Sequence, residues 1–379
     1  MNNSPFVYGR LALEGSFMDR EDEAASLVRD FVNLTNTIII SPRRWGKSSL
    51  VRRVGNLTVA ANPKSRVCYL DVFNVRSEEE FYEKLASCVL RSTSSKTEDL
   101  LASAFRYASS LVPSLTVGDP VNQVKLEFGR KELKKNADEI LDLAEKIAVD
   151  KGLDIIVCID EFQKIASFVD SDSFQAKLRS HWQLHKHVAY CLYGSRRHML
   201  MDVFTNPSKP FYKFGKTIFL EKIARGKWPP FIIEKFRETG KKITESQCLR
   251  MAELVDDNPY YIQQLSEEVW NRTTKVCKDE AISEAFNSIV RINSGLNLSL
   301  TSMLSISQQN LLNAIVNGEN NLTSAAVLDK YQLKNSLTVL RAKKALVSLD
   351  IIDDFGRVVS MEDPIYAFWL KNYYFNRTL

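Results

Sequence analysis

Short apolar runs alternate with longer amphipathic stretches over the first 220 residues. The runs are TIIIS (37–41), RVCYLDV (66–72), LDIIVCID (153–160), VAYCLYG (188–194) and KTIFL (216–220). Runs of this kind suit strands buried on both faces, and the segments between them leave room for helical crossovers, so the pattern predicts a parallel α/β sheet covered by helices. EEEFYEKLASCVL (78–90) and ELKKNADEILDLAEKIAVDKG (132–152) space apolar residues at the helical period on a charged background. VNQVKLEFG (121–129) alternates, which predicts a strand or hairpin outside the main sheet.

From Trp228 onward the strand pattern stops. FIIEKFRETG, SQCLRMAELVDD, YYIQQLSEEVWNRT and EAISEAFNSIVRI read as four helices of a small domain ending near Arg291. Thr244 and Gln247 have the spacing of a capping box. Trp228, Pro229 and Pro230 read as a hinge ahead of these helices. SQQNLLNAIVNG, LTSAAVLDKY and SLTVLRAKKALVSL then give three short helical patterns, and LDIIDDFGRVVSM suits a two-stranded wing turning at Asp354–Gly356. Three helices and a wing predict a winged helix-turn-helix. The expected division is an α/β domain over 1–227, a helical lid over 228–295 and a winged helix over 296–379.

A length of 379 residues fits two or three domains, and 45% hydrophobic with 26% charged residues is ordinary for a globular chain. The net charge of +5 permits an anionic partner without requiring one. Six scattered cysteines (Cys68, Cys88, Cys158, Cys191, Cys248, Cys277) form no CxxC pair and read as free thiols in a reducing compartment. No apolar run reaches the ~20 residues of a membrane span, and the N-terminus lacks an apolar signal core, so the expectation is a cytoplasmic protein without a membrane partner.

Candidate chemistry centres on IIISPRRWGKSS (38–49), an apolar run that breaks into a basic loop. The phosphate-loop pattern is Gly, four residues, Gly, Lys, then Ser or Thr. Gly46, Lys47 and Ser48 fit; Ser41 replaces the first Gly. Gly46 lets backbone N–H groups turn toward an anion at a helix N-terminus. Lys47 would reach the β- and γ-phosphates, and Ser48 would ligate Mg²⁺. Ser41 is small and Pro42 fixes the chain after it, so the loop survives at some cost; the competing reading is a coincidental basic turn.

A second element strengthens the first. LDIIVCIDEF ends a strand in Asp160 and Glu161, the carboxylates expected to hold the Mg²⁺ shell and to orient the attacking water. Capping of the next helix is the plainer role for the pair. In VAYCLYGSRRHML, Ser195, Arg196 and Arg197 follow another strand and suit sensing of the γ-phosphate, although the arginines equally suit surface salt bridges. In DDNPYYIQQL, Asn258 can cap a helix and Pro259 suits its first position; this turn could also pack over an adenine.

Together these stretches resemble the STAND branch of the AAA+ ATPases, in particular the group typified by archaeal MNS-type ATPases. The resemblance rests on FMDREDE (17–23), SPRRWGKSSL (41–50), CIDEFQ (158–163), LYGSRRHML (192–200), DNPYYIQQL (257–265) and DPIYAFWL (363–370), and spans essentially the whole chain. It implies a P-loop ATPase core with a helical lid and a winged helix, using ATP/ADP and Mg²⁺ as a slow conformational switch. It also implies a nucleotide lining formed by Ser41, Pro42, Arg43, Arg44, Trp45, Gly46, Lys47, Ser48, Ser49 and Pro259, with Phe17 and Arg20 at the adenine wall. Ordinary packing of Phe17 beside a capped helix is the simpler account of FMDREDE. Ser41 departs from the pattern and bears on nucleotide affinity more than on fold.

For output, a protein partner or nucleotide-dependent self-association is expected. The alternatives are an origin-recognition-like DNA-binding ATPase, or a nucleotide-stabilised scaffold without significant hydrolysis. Lys334, Arg341, Lys343 and Lys344 lie on or beside the expected recognition helix and suit DNA phosphates. Residues 301–379, however, carry eight Lys or Arg against seven Asp or Glu. His181 and His185 fall on one face if HWQLHKH is helical, but no carboxylate lies within that spacing, so a helix surface beside Trp182 is preferred to a metal site. YAFWLKNYYF (366–375) reads as a terminal helix packed on the winged domain.

Overall fold

The computed structural model describes residues 4–10, 17–94, 97–111, 114–117, 124–355 and 358–376 of the chain. It divides into two compact units. One comprises Arg20–Ser41 and Lys47–Glu221; the other comprises Met1–Asp19, Pro42–Gly46 and Lys222–Leu379.

The first unit is built on five parallel strands: β1 (Thr37–Ile40), β2 (Ser65–Asp71), β5 (Asp154–Asp160), β6 (Val188–Gly194) and β7 (Lys216–Phe219), in the order β2-β5-β6-β1-β7. All five expected runs are strands of this sheet. β1 and β6 are buried along their whole length, as strands covered on both faces must be. β3 (Ser114–Val117) pairs antiparallel with β4 (Val124–Glu127) in a separate hairpin. The strand expected over 121–129 is therefore present from Val124; residues 121–123 lie outside the described residues.

Beside the sheet, Trp182 stacks on Tyr190 with ring centroids 4.0 Å apart, and Phe162 and Phe211 close around it. Full burial of such a side chain contributes roughly 1.5–3 kcal/mol. The stretch 132–152 is not the single helix its periodicity predicts. It forms Arg130–Lys135, Ala137–Leu141 and Leu143–Lys151, broken at Asn136 and Asp142. Asn136 turns its side-chain amide onto the carbonyls of Ser110 and Glu132, a local alternative to helical continuation.

The second unit is helical. Trp228–Glu238, Glu245–Leu254 and Pro259–Arg272 lead into a 24-residue helix, Asp279–Ser302. The Thr244–Gln247 capping box forms as expected. The expected hinge instead opens a helix: Trp228 is buried, and the prolines lie in the first turn, where a missing N–H costs nothing. The helix expected to end near Arg291 runs on to Ser302, with Asn293, Ser294 and Thr301 bonding carbonyls four residues back.

The winged-helix segment consists of Ile306–Val316, Ala325–Lys330 and Ser336–Ser348, then β8 (Ile352–Asp353) paired with β9 (Ser360–Met361). Of the expected wing turn, Gly356 lies outside the described residues. Pro364–Trp369 follows, continued by a π-helical turn, Leu370–Tyr374. Ile365, Tyr366, Trp369 and Leu370 are buried, and Tyr366 and Thr301 share a 2.8 Å hydrogen bond, so the aromatic tail packs as expected. Five cysteines are buried and Cys88 is half-buried; all six are free thiols. Among the described residues, no helix is long and apolar enough to cross a membrane.

Candidate nucleotide site

Three adjacent parallel strands, β5, β6 and β1, end at the same edge of the sheet, and the residues that follow each of them carry the candidate chemistry. Ligands of open α/β sheets bind at the carboxyl ends of strands. β1 passes through Ser41 into the loop 42–46, and the helix Lys47–Ala61 starts directly after it.

Ser41 is fully buried and is not among the residues with left-handed backbone. The backbone at the position of the missing glycine therefore needs no left-handed conformation. The left-handed residues of the loop are Arg44 (φ 64°) and Gly46 (φ 84°). Gly46 adopts this at no steric cost, and the space where a Cβ would stand is open. Arg44 carries a penalty of roughly 1–2 kcal/mol. Arg43 is exposed, Trp45 half-buried, and Pro42, Lys47 and Ser49 buried.

Lys47, Ser48, Asp160, Glu161 and Ser195 come together in the first unit. The Ser48 hydroxyl donates to Asp160 Oδ2 at 2.8 Å, across 112 residues of sequence. Asp160 Oδ1 accepts from the Glu161 N–H at 2.8 Å. Burial pushes the Asp160 carboxyl above its ordinary pKa, opposed by the charge of Lys47 and the hydrogen bond from Ser48. Glu161 turns through a left-handed backbone (φ 57°), and its Oε2 accepts from the Ser195 hydroxyl at 3.0 Å and from the Gln163 side-chain amide at 2.5 Å.

Gln163 joins this cluster through Glu161, and the sequence pattern did not single it out, although it ends the CIDEFQ stretch. Gly194 makes room for it: a Cβ there would lie 1.9 Å from Gln163 Oε1 and 2.9 Å from its Cδ. Nothing in the local pattern distinguishes this glycine, because the clash arises only between strand end and turn.

Arg196 is exposed at the start of the helix Arg197–Thr205, and Arg197 is half-buried. Arg20 is buried at the start of the helix Glu21–Val32, where its guanidinium donates to Glu23 at 3.0 Å and to the Glu221 carbonyl at 2.9 Å. Phe17 is half-buried. In the second unit, Asn258 caps the helix Pro259–Arg272 by accepting from the Tyr260 and Tyr261 N–H groups, with Pro259 first.

The donor set suits Mg²⁺. That ion takes hard oxygens and usually only one or two protein ligands, the remainder being water and phosphate. A serine hydroxyl and a carboxylate already 2.8 Å apart meet that need.

The histidines require a correction. The helix Ser171–Trp182 ends before His185, so His181 and His185 do not share a helical face, and carboxylates do reach them. Asp142 Oδ1 lies 2.8 Å from His181 Nδ1 and 3.1 Å from His185 Nε2. These partners come from residues some 40 positions earlier, beyond the reach of local spacing. Among the described residues no group of three or more His, Cys, Asp or Glu is placed to hold a metal ion.

Comparison with known proteins agrees with the architecture. Residues 298–372 match the family model described as "Probable winged helix domain". No curated protein matches the chain by sequence. The fold is similar to a Walker-type ATPase of Pyrococcus abyssi (TM-score 0.67, 18% identity, 95% of this chain and 97% of that one). It is also similar to the ORC2 protein of Aeropyrum pernix in its ADP form (TM-score 0.53, 14% identity, 94% of each chain). The chain thus has an α/β, AAA+-like P-loop fold with a helical lid and a C-terminal winged helix.

Proposed function

We propose that this protein binds ATP and ADP with Mg²⁺ and hydrolyses ATP, using the nucleotide as a conformational switch. The observation that carries the reading is the Ser48–Asp160 hydrogen bond, which joins the end of the phosphate-type loop to the end of β5. Lys47 would neutralise the β- and γ-phosphates, while Ser48 and Asp160 would hold the metal. Bound Mg²⁺ would supply charge neutralisation on the phosphates. Glu161 would orient and deprotonate the attacking water, and Ser195 and Gln163 hold its carboxylate. We assign Phe17, Arg20, Ser41–Ser49 and Pro259 to the nucleotide lining, and Arg196 and Arg197 with Ser195 to γ-phosphate sensing. The α/β, lid and winged-helix divisions at 227 and 295 belong to the same proposal.

For the output, we place an origin-recognition-like, DNA-binding ATPase ahead of a STAND-type switch acting on a protein partner. Two observations favour it: the likeness to the ORC2 fold, and the outer face of the helix Ser336–Ser348, where Arg341 and Lys344 are exposed with Lys334 just before. The exposed Leu337 and Leu340 on the same face are what the protein-partner reading would use.

The test is hydrolysis and nucleotide binding by wild type, Lys47→Ala and Glu161→Gln, with and without Mg²⁺. Turnover in wild type, binding lost in the first variant, and binding kept without turnover in the second support the ATPase. Binding without turnover in wild type leaves a nucleotide-stabilised scaffold. No binding at all refutes the site.

A further inference from the structure

Three of the sequence stretches singled out above meet at one point of the second unit. Arg44, in the tip of the phosphate-type loop, donates to the Tyr261 hydroxyl at 3.0 Å and to Asp363 Oδ2 at 3.3 Å. Its guanidinium carbon lies 4.6 Å from the centre of the Tyr260 ring. Tyr261 donates to the same Asp363 oxygen at 2.5 Å. Asp363 thereby performs two tasks with two oxygens. Oδ1 caps the helix Pro364–Trp369 by accepting from the Ile365 and Tyr366 N–H groups, while Oδ2 holds the loop.

We propose that Arg44 and Asp363 form a latch by which the winged helix sets the conformation of the phosphate-loop tip, and through it the rate at which nucleotide leaves. Arg44, assigned above to the nucleotide lining with the rest of the loop, acts here as a positioning residue through its contacts to Tyr260, Tyr261 and Asp363. The inference rests on the nucleotide-switch reading and adds a regulator to it.

The physical grounds are these. Arg44 stands in a left-handed conformation unfavourable to a residue with a Cβ, and such a conformation persists only where its surroundings hold it. The holders are an aromatic face, a hydroxyl and a carboxylate, all from residues more than 200 positions away. Tyr261 is buried, and burial beside Asp363 pushes its hydroxyl pKa far up, so it remains a donor. The same edge of the unit holds a cavity of about 140 Å³ lined by Pro42, Trp45, Lys222, Asn258, Asp353 and Pro364, so loop, lid and wing share one local environment. Gly46 and Lys47 lie two and three positions after Arg44 in the chain. Releasing Arg44 therefore loosens the backbone that would cradle phosphate.

The test uses the full chain. Release of fluorescent N-methylanthraniloyl-ADP is followed by stopped flow for wild type, Asp363→Asn, Arg44→Lys and the double variant. Asparagine can still cap the helix, and lysine keeps the charge but loses the fork. Each single variant is expected to speed release about three- to five-fold, the scale of one partly exposed ion pair. The double variant is expected to be no faster than the quicker single. Unchanged release, or single effects that simply multiply, overturns the latch. Hydrogen exchange on the nucleotide-free chain gives a second readout: Asp363→Asn should quicken exchange at residues 43–46, and Arg44→Lys should quicken it at 365–369. Exchange altered only at the mutated segment overturns the coupling. A wild type that binds no ADP refutes the nucleotide reading, and with it control of release; the exchange readout then decides whether loop and winged helix are coupled.

Discussion

The Ser48 hydroxyl lies 2.8 Å from Asp160 Oδ2, so the first turn of the helix after the loop is tied to the end of β5 before any ligand arrives. The cost falls on Asp160. Its carboxylate is buried, and burial outweighs the help it receives from Lys47 and Ser48, leaving the folded pKa above the ordinary one. A carboxyl raised in this way binds its proton more tightly in the folded chain. Its stabilising contribution is complete below the unfolded pKa and is lost as pH rises through the folded one.

Asp160→Asn should therefore raise the melting midpoint of the nucleotide-free protein at pH 7, by the equivalent of about 1 kcal/mol. The gain should vanish at a pH below the ordinary carboxylate range. The same variant should lose Mg²⁺-dependent nucleotide binding. Thermal melts at the two pH values, with and without Mg²⁺-ADP, check both halves.

Glu161→Gln should retain nucleotide and lose turnover by roughly 10²–10⁴-fold, the usual contribution of a positioned general base. Ser195→Ala removes one of two hydrogen bonds to that carboxylate and should fall between this variant and wild type. Single-turnover hydrolysis measured beside ADP affinity separates chemistry from binding.

Gly194→Ala should displace Gln163, because the added methyl would stand 1.9 Å from its Oε1. The expected cost is about 1–3 kcal/mol of stability, as for other overpacked sites. Gln163→Ala in the same background should recover much of it. Urea unfolding of the two single variants and the double variant measures the recovery.

If the winged helix reads DNA, Arg341→Ala and Lys344→Ala should each weaken binding to duplexes of unrelated sequence about equally. Each should also lower the slope of log affinity against log salt by about 1. Fluorescence anisotropy across a salt series tests this. Unchanged slopes would favour the protein-partner reading of the same helix face.

Much of this protein was legible from local pattern. The central runs became β1, β5 and β6 because a strand buried on both faces must be apolar almost throughout, and that requirement is written in consecutive residues; β2 and β7, at the sheet edges, are only partly buried. Thr244 with Gln247, and Asn258 with Pro259, announced helix starts because capping is settled within three or four positions. Lys47, Ser48, Asp160 and Glu161 could be named as candidates because each ends a strand or lies just beyond one. What local pattern could not carry was decided by tertiary packing. The break at Asn136 depends on carbonyls that its amide finds, one of them 26 residues away. The need for Gly194 depends on where Gln163 lies, and the histidine partners come from some 40 residues upstream. Arg44 reads in the sequence as one more basic loop residue. Only the fold sets it against Tyr260, Tyr261 and Asp363, because hydrogen bonds and ring contacts act over a few ångströms of space, whatever the distance along the chain.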